Sequence, residues 1–410
     1  MKSLNRRTFV RSLVTASGTV PHFLQQTATA APAAGLPGFP NDRVLVMVQL
    51  SGGNDGLNTL IPFADDRYYQ ARPNLAVSRT EVLKLTGAAG FHPQMGKLHH
   101  VFEHELLAVV QGVGYPNPNR SHFRSLEIWQ TSETERVLTT GWLGRYVDAE
   151  CRGSDNPAPV VNFGDKQPLT LAAERPRVIT LENPALLKWQ PRGEAAEAER
   201  RAFGRINQSF GPGPDNVSFL ARVASGAQSF YGRLEEAMRR YRSAVVYPEF
   251  RFSQNLKLVA QMITAEFPTR IYYVELPGFD THAAQSNRHA ALLQELSEGL
   301  GSFLHDLHKQ GHLQRTLVVT FSEFGRRVAE NRSGGTDHGA GSMLFLAGGG
   351  VKGGFYGTAP DLEDLQSGDL KHQVDFRSVY ATVLEQWLGA GSEPILGSRF
   401  PTLPLFPTRS

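Results

Sequence analysis

Val44-Leu45-Val46-Met47-Val48-Gln49-Leu50 runs directly into Ser51-Gly52-Gly53-Asn54-Asp55-Gly56. The first seven residues are almost continuously apolar, so neither face of a strand built from them belongs in water. That pattern marks a strand covered on both sides, as in a parallel sheet. The next six free the backbone to turn and place Asp55 at the strand's tip. Similar runs recur at Leu106–Val110, Val160–Phe163, Ile271–Leu276, Leu317–Phe321 and Met343–Ala347. Amphipathic stretches lie between them. Ala290–Lys309 sets Leu292, Leu293, Leu296, Leu300, Phe303, Leu304 and Leu307 at helical spacing, and Phe376–Leu388 does the same with Val379, Tyr380, Val383, Leu384 and Trp387. The alternation predicts a single layered α/β domain over 41–410. About 150–250, with Gly211-Pro212-Gly213-Pro214 and the basic stretch Arg233–Arg242, reads as helical insertions covering the sheet.

The composition narrows the function classes. The chain has 410 residues, 40% of them apolar and 20% charged, which is ordinary globular usage without repeats. Four of the 42 basic residues (Lys2, Arg6, Arg7, Arg11) fall in 1–30; the remainder carries 38 bases against 39 acids, formally −1. A near-neutral body has no electrostatic footprint for nucleic acid. The single Cys151 excludes an intramolecular disulfide, a zinc ribbon and a one-chain iron–sulfur cluster, so any metal is left to His, Asp and Glu.

Asn5-Arg6-Arg7-Thr8-Phe9-Val10-Arg11, a weakly apolar stretch and Ala28-Thr29-Ala30 read as an export signal over 1–30. The paired arginines before Phe9 resemble a twin-arginine address. Residues 31–40 form a Pro/Gly/Ala linker. No stretch holds 18 uncharged apolar residues, so no membrane span is expected. The expectation is a periplasmic or extracellular protein whose partner during export is the twin-arginine translocase.

In open α/β sheets ligands bind beyond the carboxyl ends of the strands, and the predicted tips carry unusual residues. Ser51–Gly56 reads either as a tip presenting Asp55 or as a surface turn; a P-loop lacks its Lys-Ser/Thr here. In Asn119-Arg120-Ser121-His122-Phe123-Arg124 a helix is predicted from Ser121 through Trp129. Ser121 is a cap, or a nucleophile in the positive field of the helix start beside Arg120, His122 and Arg124. Asp280-Thr281-His282 suits a zinc-like ion or a metal-free Asp–His pair, with His289 a further candidate donor. Glu323 is a ligand or a salt-bridge partner of Arg326 or Arg327. His338, within Gly334–Ser342, is a ligand or part of a loose surface loop.

Taken together, Ser51–Ile61, Gln111–Trp129, Gly278–Gln285, Thr320–Arg327, Gly334–Gly354 and Asp375–Gly389 resemble a family of twin-arginine-exported, sulfatase-like bacterial proteins of unassigned function. That family resembles in turn the alkaline phosphatase superfamily. The resemblance implies a three-layer sandwich with a mostly parallel central sheet and helical insertions. It also implies metal ligands at Asp55, Asp280, His282, Glu323 and His338 and a nucleophile at Ser121; beside these, Arg120 or Arg124 reads as the group that matches a tetrahedral anion, and His122 as a general acid or an orienting group. Where the superfamily has an Asp-His pair this chain reads Glu323-Phe324, and a phenyl ring ligates nothing. The resemblance thus gives one site of Asp280, His282 and His338 and a second, oxygen-only site of Asp55, Glu323 and Ser121, short of a ligand and suited to hard ions.

The implied activity is metal-dependent hydrolysis of a phosphate or sulfate ester, with zinc, manganese, magnesium or calcium as the cation and a small anionic ester or glycan as the partner. The rival is a non-catalytic periplasmic binding or envelope-assembly protein that keeps the fold.

Overall fold

The protein is described here by a computed structural model covering residues 42–407, apart from 152–155, 157, 176–177, 183–197, 200, 203–204 and 206–215. The export signal and linker expected over 1–40 lie outside the described residues, as does much of 183–215. The strands of the central sheet, in chain order, are β1 (Val44–Ser51), β2 (Leu107–Gly114), β3 (Val160–Phe163), β4 (Val178–Thr180), β5 (Ile271–Pro277), β6 (Thr316–Phe321), β7 (Ser342–Gly348), β8 (Gly354–Tyr356) and β9 (Val374–Asp375). The main helices are α1 (Gly96–Glu103), α2 (His122–Thr131), α3 (Trp142–Glu150), α4 (Asn216–Arg240), α5 (Arg251–Thr264), α6 (Gln285–Lys309) and α7 (Phe376–Thr382).

The sheet runs β8-β2-β7-β6-β1-β5-β3-β4, with β9 also paired to β2. Every pairing is parallel except those of β7, which is antiparallel to β2 and β6. β1 lies near the middle, with Leu45 opposite both Ile271 and Leu317. Its alternate side chains feed two different cores. Val44, Val46, Val48 and Leu50 pack with Leu256, Val259, Leu296 and Leu300 of α5 and α6. Leu45 and Met47 pack on the other face with Trp142, Tyr146, Tyr380 and Trp387. The period-two split of a wholly apolar strand between two cores makes three layers. The architecture is an α/β sandwich around a mixed, mostly parallel sheet.

Each apolar run named in the sequence becomes a strand. The span 150–250 is not helical throughout: it contributes β3 and β4, which extend the sheet beyond β5. The predicted helix at Phe376–Leu388 begins as α7 and ends in a π-helical turn over Val383–Leu388, closed by Gly389 at φ 77°. Among the described residues, no helix is long and apolar enough to cross a membrane.

β7 runs opposite to its neighbours, so its beginning lies at the edge where β1, β2, β5 and β6 end. The residues after those four strands and just before β7 are thereby brought to one rim.

Candidate metal centre

The rim is held together by close backbone approach. Gly52 and Gly53 follow β1 with φ of 117° and 83°, values that glycine adopts without a Cβ penalty. A Cβ on Gly52 would collide with the Asp280 backbone, and one on Gly53 with the Phe324 ring. Arg326 stitches the same loops. It is fully buried, and its Nε donates to Gly53 O (2.8 Å), Nη1 to Thr336 O (2.8 Å), and Nη2 to Gly52 O, Phe279 O (2.9 Å) and Asp280 Oδ1 (2.8 Å).

Asp280 is the junction. Besides Arg326 Nη2, its Oδ1 faces His282 Nδ1 at 2.9 Å, His338 Nε2 at 3.1 Å and His122 Nε2 at 3.4 Å. One carboxylate oxygen has about two lone-pair sites, so four nitrogens exceed what hydrogen bonding there satisfies. The far side of two rings fixes what the near side offers. His338 Nδ1 lies 2.8 Å from the Arg120 carbonyl, and His122 Nδ1 lies 2.9 Å from Glu323 Oε1. Each far nitrogen meets an acceptor and so carries the proton. In the neutral ring this turns each Nε2 lone pair toward Asp280. Lone pairs of two imidazoles converging on a carboxylate, each with a hydrogen-bonded second nitrogen, is the arrangement of histidines that hold a metal. Donor atoms of His122, Asp280 and His338 all lie within 4.8 Å of one another. The three imidazole nitrogens lie 2.9–3.4 Å from Asp280 Oδ1.

The same contacts shift the titratable groups. Burial pushes the Asp280 carboxyl up, but the hydrogen bond and charge of Arg326 lead the opposing effects that hold the group at about 2. The Glu323 hydrogen bond raises His122, and burial lowers His282. Phe324 walls one side, its ring centroid 4.4 Å from that of His338 and 5.0 Å from that of His122.

The structure thus gathers Asp280, His282, His338, His122 and Glu323. Glu323 pairs with neither Arg326 nor Arg327; it accepts from His122 and from the Gly52 amide at 2.8 Å. His122, read from sequence as catalytic, joins Asp280 and His338 in the group whose donor atoms could hold a metal ion. Ser121 sits at the exposed N-terminus of α2, its hydroxyl making no capping bond. Arg120, read as an anion-binding group, is paired with Asp369, Nε donating at 3.0 Å. Asp55 is not part of the cluster: its Oδ2 accepts from Arg72 Nη1 at 2.6 Å in a fully buried pair, and from Gln285. His289 is likewise elsewhere, its Nε2 3.0 Å from Asn54 Oδ1. The exposed Asp337 accepts from Asn331 at 2.9 Å. Sequence reasoning missed Arg326 as the clamp and Arg72 as the partner of Asp55. A basic residue three places after Glu323 was the only sign of the first, and the second left none.

No curated protein sequence matches the chain. Among solved structures it is similar to an alkaline phosphatase superfamily protein from Vibrio parahaemolyticus (9% identity, 97% of this chain and 78% of the other, TM-score 0.39). It is also similar to the PsFucS1 sulfatase from Pseudoalteromonas sp. (10% identity, 89% and 71%, TM-score 0.40). A third likeness is to the zinc complex of the C-terminal periplasmic domain of EcEptC from Escherichia coli (10% identity, 78% and 76%, TM-score 0.36). Residues 42–392 match the family described as a protein of unknown function, DUF1501, and the chain belongs to that family.

Proposed function

We propose that this protein is an exported, metal-dependent hydrolase of phosphate or sulfate esters. The observation that supports this most is the meeting of His122 Nε2, His338 Nε2 and His282 Nδ1 at Asp280 Oδ1. In this reading His122, Asp280 and His338 hold a divalent cation, with His282 as fourth donor. A cation bound there would polarise an ester oxygen and lower the pKa of water. The chain's own residues do the rest. Glu323 and the Arg120 carbonyl keep the two imidazoles in the ligating tautomer. Arg326 keeps Asp280 ionised and aimed outward. Phe324 excludes water from one wall. Ser121, one residue from His122 and open to solvent, is the candidate nucleophile, placed where the α2 N-terminus favours negative charge.

One observation favours the rival, a metal-holding binding protein. Arg120, the cation best placed to read a tetrahedral anion, already holds Asp369. The two readings separate in one experiment. Metal-loaded protein is assayed on aryl phosphate, phosphodiester and sulfate esters, beside Asp280→Asn and a chelated sample. Turnover that falls by at least about 100-fold in both, a loss of roughly 2.7 kcal/mol of barrier lowering, supports the hydrolase. Metal binding without turnover of any ester moves the binding protein ahead.

A further inference from the structure

The resemblance gives a second cation to Asp55 and Glu323, and the arrangement around them does not fit one. Asp55 is 1% exposed and shares its Oδ2 between Arg72 and Gln285, which leaves its buried Oδ1, without a hydrogen-bond partner, as the single carboxylate oxygen open to an ion there, too few donors for a site. The remaining Arg72 donors end on Val328 O (2.8 Å), Arg327 O (2.9 Å) and Asn58 Oδ1 (2.8 Å). Glu323 Oε1 is taken by His122 and the Gly52 amide.

The hard-oxygen environment exists nearby, and a side chain fills it. The Arg326 guanidinium is ringed by five oxygens: the carbonyls of Gly52, Gly53, Phe279 and Thr336, and Asp280 Oδ1. Backbone carbonyls plus one carboxylate is the donor chemistry of calcium-like ions. The guanidinium has five N–H groups and keeps its proton at any working pH. Its one anionic partner is the ligand carboxylate Asp280.

We propose that Arg326 is the second cation of this centre: a fixed charge, built into an oxygen cage, that backs Asp280 from inside while a single metal ion binds outside. Arg72 does the corresponding work at Asp55, neutralising the one carboxylate that a mobile cation would otherwise claim. The proposal rests on the reading of His122, Asp280 and His338 as ligands. It explains why the Phe324 position tolerates a ring with no donor atom: no second ion needs a nitrogen there.

The test is direct metal counting on the full chain after titration with Zn²⁺, Mn²⁺ and Ca²⁺ separately. The unaltered protein is expected to plateau at one ion per chain with Zn²⁺ or Mn²⁺, and Glu323→Gln to stay at one. Arg326→Lys keeps the charge and stays at one. Arg326→Gln deletes the charge but leaves the oxygens, and is expected to take up an additional Mn²⁺ or Ca²⁺ at millimolar concentration. Thermal melts identify which variants are folded. No bound ion in the unaltered protein would overturn the ligand reading beneath the proposal. Two ions in the unaltered protein would overturn the proposal alone, as would a folded Arg326→Gln that remains at one. Should Arg326→Gln not fold, the counts for the unaltered protein and Glu323→Gln still decide it.

Discussion

Asp280 gathers its partners because three loops meet at a spacing that leaves no room for a side chain at Gly53. With φ at 83° and the Phe324 ring at its α-carbon, Gly53 is where a single methyl does the most damage. A left-handed alanine costs about 1–2 kcal/mol by itself. Phe324 is buried and lies against two of the candidate ligands, so it cannot yield freely. Gly53→Ala is therefore expected to lower stability by roughly 2–4 kcal/mol, read as a drop in urea midpoint at unchanged slope, and to weaken metal binding with it. A midpoint within about 0.5 kcal/mol of the unaltered protein, the range of ordinary surface changes, would show that the loops are not packed as described. At this scale the sequence was readable where chemistry sits on a strand tip. Asp280, His282, Glu323 and His338 were all visible there. Arg326 was not, because four of its five partners are carbonyl oxygens, which every residue has. Asp55 was misplaced for a similar reason: nothing in the spacing of Asp55 and Arg72 announces that they pair.

Between elements, the start of α6 meets the tip of β1 through His289 and Asn54, with His92 beside them. Burial holds both histidines down at about 4, against the partly offsetting charge of Asp55. In the unfolded chain each titrates near about 6.5. Between these values the unfolded state binds more protons, so stability is full above pH 6.5 and falls as the pH drops toward 4. Two such groups give a slope approaching about 2.7 kcal/mol per pH unit. Denaturant midpoints across this window are expected to fall with acidity, and His289→Gln to remove about half of the dependence. A flat profile between pH 6.5 and 4.5 would mean that water or a partner reaches these rings. Elements with long apolar runs were legible because a strand buried on both faces has no polar option. The edge strand β4 and the π-helical end of the α7 segment were not: three residues carry too little pattern, and a π-turn differs from an α-turn by one residue of hydrogen-bond reach.

For the whole molecule, the export reading makes a separate prediction. Exported protein is expected to begin just after Ala30 or within a few residues of it, and Arg6→Lys with Arg7→Lys to block export; intact-mass measurement checks the first and cell fractionation the second. A mature chain still carrying Met1 would sink it. The order of the strands has a consequence in time. β1 is made first yet stands near the middle of the sheet, and Leu45 finds its partners only in Ile271 and Leu317. At about 5–20 residues per second, synthesis reaches those partners on the order of tens of seconds later. Until then an almost wholly apolar strand has neither neighbour. The nascent chain must be shielded over that interval, and the rim that carries the candidate ligands, hung from the tips of β1, β5 and β6, closes only after nearly the whole chain has emerged.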